Sequence, residues 1–110
     1  MPNLLQAHPN VSGIYAANDE MALGALEAID AAGLTGILVG GTDANADARQ
    51  AMRDGRLAVT VSGDPFGQGF HSVQAAAAVL RGESLPDFYR VPIQIIGSVE
   101  ELDAFEAATS

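Results

Sequence analysis

Three short polar groups in this sequence could do chemistry: Asn18-Asp19-Glu20, Asp43, and Ser62-Gly63-Asp64. Each follows directly on an apolar, β-rich run. An Asn side chain offers both a donor and an acceptor, whereas an ionised Asp only accepts. Such groups suit a polyhydroxylated ligand, whose neighbouring hydroxyls need both kinds of partner. The same residues are also ordinary structural ones. Asn18 or Asp19 makes a good helix N-cap, Asp43 followed by Asn45 fits a turn and cap, and Asp64 before Pro65 fits a helix start. Spacing by itself leaves both readings open.

Other chemistries find less support. The stretch "GGTDANAD" has glycines but no G-x-G-x-x-G pattern, and a chain without lysine cannot form a standard Walker phosphate loop. His8 and His71 lie far apart and show no metal-ligand spacing. Ser12 and Ser62 lack a nucleophile-elbow context. The carboxylate pairs Asp19-Glu20 and Glu100-Glu101 are sequence neighbours on helices and read as solvated faces. No catalytic residue, metal or cofactor is expected, and the chain reads as a binding module rather than an enzyme.

The elements that must position the polar groups are legible from periodicity. Strands are expected at 11–17, 36–41, 57–63 and 89–96, and helices at 21–33, 45–55, 65–83 and 98–108. Gly33, Gly55 and Gly82 serve as stops, Pro65 as an N1 residue, and Ser98 with Glu101 as a capping box. Pro92 favours an edge position for the last strand. Strands alternating with helices imply a three-layer α/β/α sandwich with a mainly parallel sheet, in one domain over 1–110. In open parallel sheets ligands bind at the carboxyl ends of the strands. That edge is where Asn18, Asp43 and Asp64 fall.

Composition bounds the partners. The 110 residues are 48% hydrophobic and 17% charged, enough for a core and unlike a disordered chain. A net charge of −9 disfavours nucleic-acid backbones and anionic membranes. There is no cysteine. "MPNLLQAHPN" has no basic start or apolar core of the signal-peptide kind. It reads as the last turns of a helix that Pro9 stops, so a piece of something longer is expected.

The stretch "LLQAHPNVSGIYAANDEMALGALEAIDAAG" resembles the second lobe of a type I periplasmic sugar-binding protein of the ribose-binding-protein group. "GRLAVTVSGDPFGQG" and "VLRGE" continue the resemblance in order, over nearly all of residues 3–96. "NDEMALGAL" is its most specific part. In that family a sugar is clamped between two similar α/β lobes joined by a hinge. The resemblance therefore implies half of that fold. Asn18 and Asp43 match two second-lobe positions that hydrogen-bond sugar hydroxyls. A third position, often Gln, falls on Gly63, with Asp64 beside it as a candidate.

By the same resemblance the ligand is a monosaccharide or polyol, and the full-length form delivers it to an ABC permease. That form works in the periplasm, or outside the cell on a lipid anchor. The helix at 65–82 would belong to the other lobe. Its apolar face (Phe66, Phe70, Val73, Ala77, Leu80) is expected to fold back on its own sheet or to pair with a second copy as a homodimer. The isolated lobe would bind weakly or not at all. The alternative is the effector-binding domain of a lactose-repressor-family transcription regulator, which shares this core.

Overall fold

Apolar periodicity and the residues that close each segment set the order of elements. The computed structural model describes residues 2–87 and 90–109. They form α1 (Pro2–Ala7), β1 (Gly13–Tyr15), α2 (Asp19–Ala31), β2 (Leu38–Gly40), α3 (Ala46–Arg53), β3 (Thr60–Ser62), α4 (Pro65–Leu80), β4 (Gln94–Ile96) and α5 (Val99–Thr109). All the expected elements are present in the expected order. The strands are shorter than their apolar runs, and Tyr89, expected to begin the last strand, lies outside the described residues. In α2 the residues Ala22, Ala25, Leu26 and Ile29 are buried, the spacing that puts one stripe of a helix against a core.

The strands lie side by side in chain order. β1 pairs with β2 in parallel, Ile14 opposite Val39. Gly40 then bridges Val59 in parallel, and the Gly41 and Asp43 N–H groups donate to the Val59 and Val61 carbonyls. These bonds join β2 to β3. A Cβ on Gly40 would stand 2.7 Å from a Val59 methyl, so this crossing needs a glycine. β4 closes the far side, with Thr60 opposite Ile96 and Ser62 opposite Gln94, but it runs antiparallel.

One antiparallel strand at the edge leaves the sheet mainly parallel, as expected, and has a physical reason. A strand runs parallel to its predecessor when the intervening helix returns the chain along the sheet. Here α4 leaves from the carboxyl end of β3 without packing back. The chain therefore re-enters the sheet at the edge it left. β4 begins beside the end of β3, and Pro92 precedes it.

Register decides which face is covered. Ile14, Val39, Thr60 and Ile96 share one face, where Val39, Thr60 and Ile96 are fully buried. Along that face α2 contacts β1, β2, α1 and α3, while α5 contacts α3 and β4. Successive right-handed crossovers that step in one direction place their helices on the same side. The class is α/β with a mainly parallel sheet, and this chain supplies two of the sandwich's three layers. Tyr15, Leu38 and Ile95 on the opposite face are exposed.

The core is built of Leu26, Ile29, Val39, Met52, Leu57, Ile96 and Leu102, with alanines where α2 meets α3. Arg53 ties α3 to α5 at the surface, donating to Asp103 at 2.9 Å and Glu106 at 2.7 Å. Those hydrogen bonds, Asp103's first, raise the guanidinium pKa above its ordinary value. α4 did not fold back on its own sheet. Gly67 is its buried residue, and Phe66, Phe70, Val73 and Leu80 are exposed.

Burial predicts a clear ordering of stability. Leu102→Ala removes a fully buried side chain and should lower unfolding free energy by about 2–5 kcal/mol. Arg53→Ala should move the urea midpoint far less, because exposed ion pairs contribute little. Equal midpoint shifts for the two variants would contradict this account of the α3–α5 contact.

Candidate functional site

The carboxyl edge of the sheet is organised by a side chain that needs no ligand. Asn18 is the N-cap of α2, in extended conformation, and its Oδ1 accepts the Met21 N–H at 2.9 Å. That division frees Asp19 for another task. Its carboxylate is completely buried. Oδ1 accepts the Thr60 hydroxyl at 2.8 Å and Oδ2 accepts the Asn45 N–H at 2.9 Å. Thr60 Oγ1 in turn accepts the Ala44 N–H at 3.1 Å, and the Asp19 N–H donates to the Thr42 carbonyl at 2.8 Å. One carboxylate thus joins the ends of β1 and β2 to the start of β3. Gly41 passes so close that a Cβ there would lie 2.5 Å from Asp19 Oδ1.

This clamp holds the β2–α3 connection in an unusual conformation. Asp43 has φ 118° and Ala44 φ 58°, and Asp64 after β3 has φ 54°. Among the described residues these are the non-glycine positions with positive φ. Each costs on the order of 1–3 kcal/mol, and such strain clusters where function over-determines the backbone. Asp43 is kept there by its N–H donating to the Val61 carbonyl at 2.7 Å. Asn45 then caps α3 through the Ala48 N–H at 2.8 Å.

All three strained residues line one cavity of about 620 Å³, within the range of small-molecule sites. Ser62, Arg49, Phe66, Gln94 and Phe105 also line it. Asp43 is exposed, and no other described residue bonds to its carboxylate. Asp64 Oδ1 accepts the Gly67 N–H at 3.1 Å as the N-cap of α4. Arg49 reaches across to Glu106 at 3.5 Å. The tertiary structure therefore brings Asp43 and Asp64 together. Asn18 stands on the same sheet edge, outside this cavity. Gly63, the position where an amide side chain was expected, has its carbonyl bonded by the Gln68 amide from α4.

Two features were missed from sequence. Gln94 reaches the cavity because β4 is antiparallel, which brings its first residue to the carboxyl edge. Asp19, read from the sequence as a candidate cap or as part of a solvated face with Glu20, is instead fully buried. The signal for its burial was present in Gly41, a glycine beyond the needs of any turn. The arrangement as a whole offers carboxylate acceptors, an amide and a hydroxyl beside an apolar wall.

The family model described as periplasmic binding protein domain matches residues 1–84. The ribose import binding protein of Salmonella typhimurium is 43% identical over 96 residues, covering 87% of this chain and 32% of that protein. A protein described as a putative rhizopine-binding protein of Rhizobium meliloti is 39% identical over 98 residues, with 87% and 32% covered. Among solved structures, an ABC transporter solute binding protein of Bacillus halodurans with bound myo-inositol superposes with a TM-score of 0.83 at 38% identity. It covers 96% of this chain and 37% of that one. The chain thus spans about a third of the length of the relatives it matches.

Two substitutions separate clamp from strain. Asp19→Ala leaves the Thr60 hydroxyl and the Asn45 N–H unpaired in the interior and should cost about 3 kcal/mol. Ala44→Gly relieves a left-handed alanine and should leave stability unchanged or raised by about 1 kcal/mol. Urea unfolding of both variants tests this, and a neutral Asp19→Ala would refute the clamp.

Proposed function

The chain belongs to the periplasmic binding protein domain family, and from that premise we propose that its strained sheet edge is one wall of a sugar or polyol site. The carrying observation is that Asp43, Ala44 and Asp64, three non-glycine residues at positive φ, line the same cavity. Backbone strain held there by a buried carboxylate presents the Asp43 side chain outward. In the proposal Asp43 accepts from two neighbouring ligand hydroxyls. Asp64 accepts with the carboxylate oxygen not used in capping, and the Gln94 amide and Ser62 hydroxyl supply donors. Asn18 contributes its NH2 from the adjacent strand end while its oxygen caps α2.

The relatives' names support the ligand class: ribose import, rhizopine binding and bound myo-inositol. These are binding and transport proteins, and the chain shares that character rather than an enzyme's. In the proposal the whole protein carries its ligand through the periplasm, or on a lipid anchor outside the cell, to an ABC permease. A single wall leaves the ligand half solvated, where each hydrogen bond exchanges with water for little net gain. Binding by this chain alone is accordingly weak, with Kd on the order of 1 mM, about −4 kcal/mol. Self-association through α4 is part of the same reading.

Calorimetry and thermal shift with ribose, allose, myo-inositol and glycerol test the site. At about 100 times Kd, a ligand should stabilise the fold by roughly 2.7 kcal/mol. Asp43→Ala should abolish the shift while leaving the ligand-free melting temperature nearly unchanged. No stabilisation by any of the four, or a shift that survives Asp43→Ala, would sink the assignment.

A further inference from the structure

The loop that carries Asp43 is pinned from both faces of the sheet. On the covered face the anchors are the buried Asp19 carboxylate and the Thr60 hydroxyl, which accepts the Ala44 N–H. On the other face the Tyr15 and Thr42 hydroxyls share a hydrogen bond at 2.6 Å, in which either can donate. Register explains the reach. Tyr15 stands opposite Gly40, which has no side chain, so the phenol lies along β2 with Cδ2 3.9 Å from where a Cβ on Gly40 would be. Thr42 is two residues further on, about 6.6 Å in extended chain, a distance a phenol spans.

Thr42 also holds the far end of the neighbouring turn. Its carbonyl accepts the Asp19 N–H at 2.8 Å. The β1–α2 turn is therefore gripped by one residue at two points, Tyr15 before it and Asp19 after it. Asn18 lies between those points, and Asp43 follows Thr42 directly. Asn18 Oδ1 is spent on the Met21 N–H, which leaves its NH2 for another partner.

Energetics separate this contact from the buried clamp. Tyr15 is 72% exposed, so water competes for both hydroxyls and the bond adds little to the stability of the fold. Its effect is on geometry. Asp43 at φ 118° occupies a sparsely populated region, and such a backbone persists only where its surroundings over-determine it. Recognition groups must keep their places to within about 0.5 Å to act together. A Thr42 released on the outer face would let Asn18 and Asp43 shift relative to one another while the core stays intact.

We infer that Thr42, held by Tyr15, is the positioning residue that makes Asn18 and Asp43 parts of one ligand wall. This rests on the sugar or polyol reading and adds to it the contact that sets the spacing of the wall. Neither hydroxyl touches the ligand. The contact lies wholly within the described residues, so it holds whatever covers the outer face of the sheet.

Nuclear magnetic resonance titration with ribose and with myo-inositol tests it. Thr42→Val removes the hydroxyl at nearly constant shape and should raise the Kd about fivefold, as should Tyr15→Phe. Combining the two should add nothing further, because either change breaks the same bond. Thr42→Ser keeps the hydroxyl and should bind within about twofold of the wild type. Melting temperatures of all four variants should stay within about 3 °C of the wild type. Amide exchange supplies a readout without ligand. The Asp19 N–H, bonded to the Thr42 carbonyl, should exchange about threefold faster or more in Tyr15→Phe, while Ala25 in mid-helix stays unchanged. Wild-type affinity in Tyr15→Phe and Thr42→Val, or additive losses in the double variant, would overturn the positioning role and leave the site reading standing. Exchange at Asp19 indifferent to Tyr15→Phe would overturn the positioning role with no ligand present. A wild-type chain that responds to neither ligand would remove the site reading and the role that rests on it.

Discussion

The carboxylate of Asp19 lies beneath the carboxyl edge of the sheet, and the rest of that edge depends on it. A buried charge without partners would be costly, so its environment must supply donors. Here they come from the Thr60 hydroxyl and the Asn45 N–H. Meeting that demand joins three chain segments that are remote in sequence. It also explains two neighbours that look unrelated: Gly41 must lack a side chain to let the carboxylate in, and Ala44 must turn left-handed to direct its N–H at Thr60. The strain at Asp43 and Ala44 persists because the bonds around it are made inside the protein, where breaking them is expensive.

From that clamp the functional logic runs outward. Positive φ at Asp43 lifts an acidic side chain off the edge, and the antiparallel arrival of β4 brings Gln94 beside Ser62. A rigid interior thus presents adaptable polar groups to one side. The other consequence is less balanced. Right-handed crossovers taken in one direction put every packed helix on one face, so the interior is well formed on that side and open on the other. α4 begins at the carboxyl edge and carries its apolar stripe away from the core, joining the proposed ligand wall to the least covered part of the described residues.

Much of the fold was legible in the sequence because its signals are local. Alanines and leucines at three- and four-residue spacing mark α2, and the continuous apolar run at 36–41 marks the strand that becomes Leu38–Gly40. Asp43 and Asp64 were legible as candidates because acidic residues right after β-rich runs fall at the carboxyl edge of a parallel sheet. The resemblance to sugar-binding lobes, carried by "NDEMALGAL", agrees with the family assignment, while the sugar contacts it implies for Asn18 and Asp43 belong to the proposal. Gln94 and Arg49 were not legible, because their approach to the cavity depends on strand direction and on how α3 sits, neither of which has a local signature.

What the sequence determined by itself was the class, the element order and the polar character of one sheet edge. Each of these follows from side-chain chemistry and short-range periodicity. Only the tertiary structure decided that Asn18 caps while its neighbour Asp19 is buried, since both residues are equally good at a helix start and only Thr60, forty-one residues away from Asp19, distinguishes them. It also decided that β4 is antiparallel, that helices line a single face and that α4 stands free. Those outcomes rest on where a chain returns after leaving the sheet, a long-range property that periodicity does not encode.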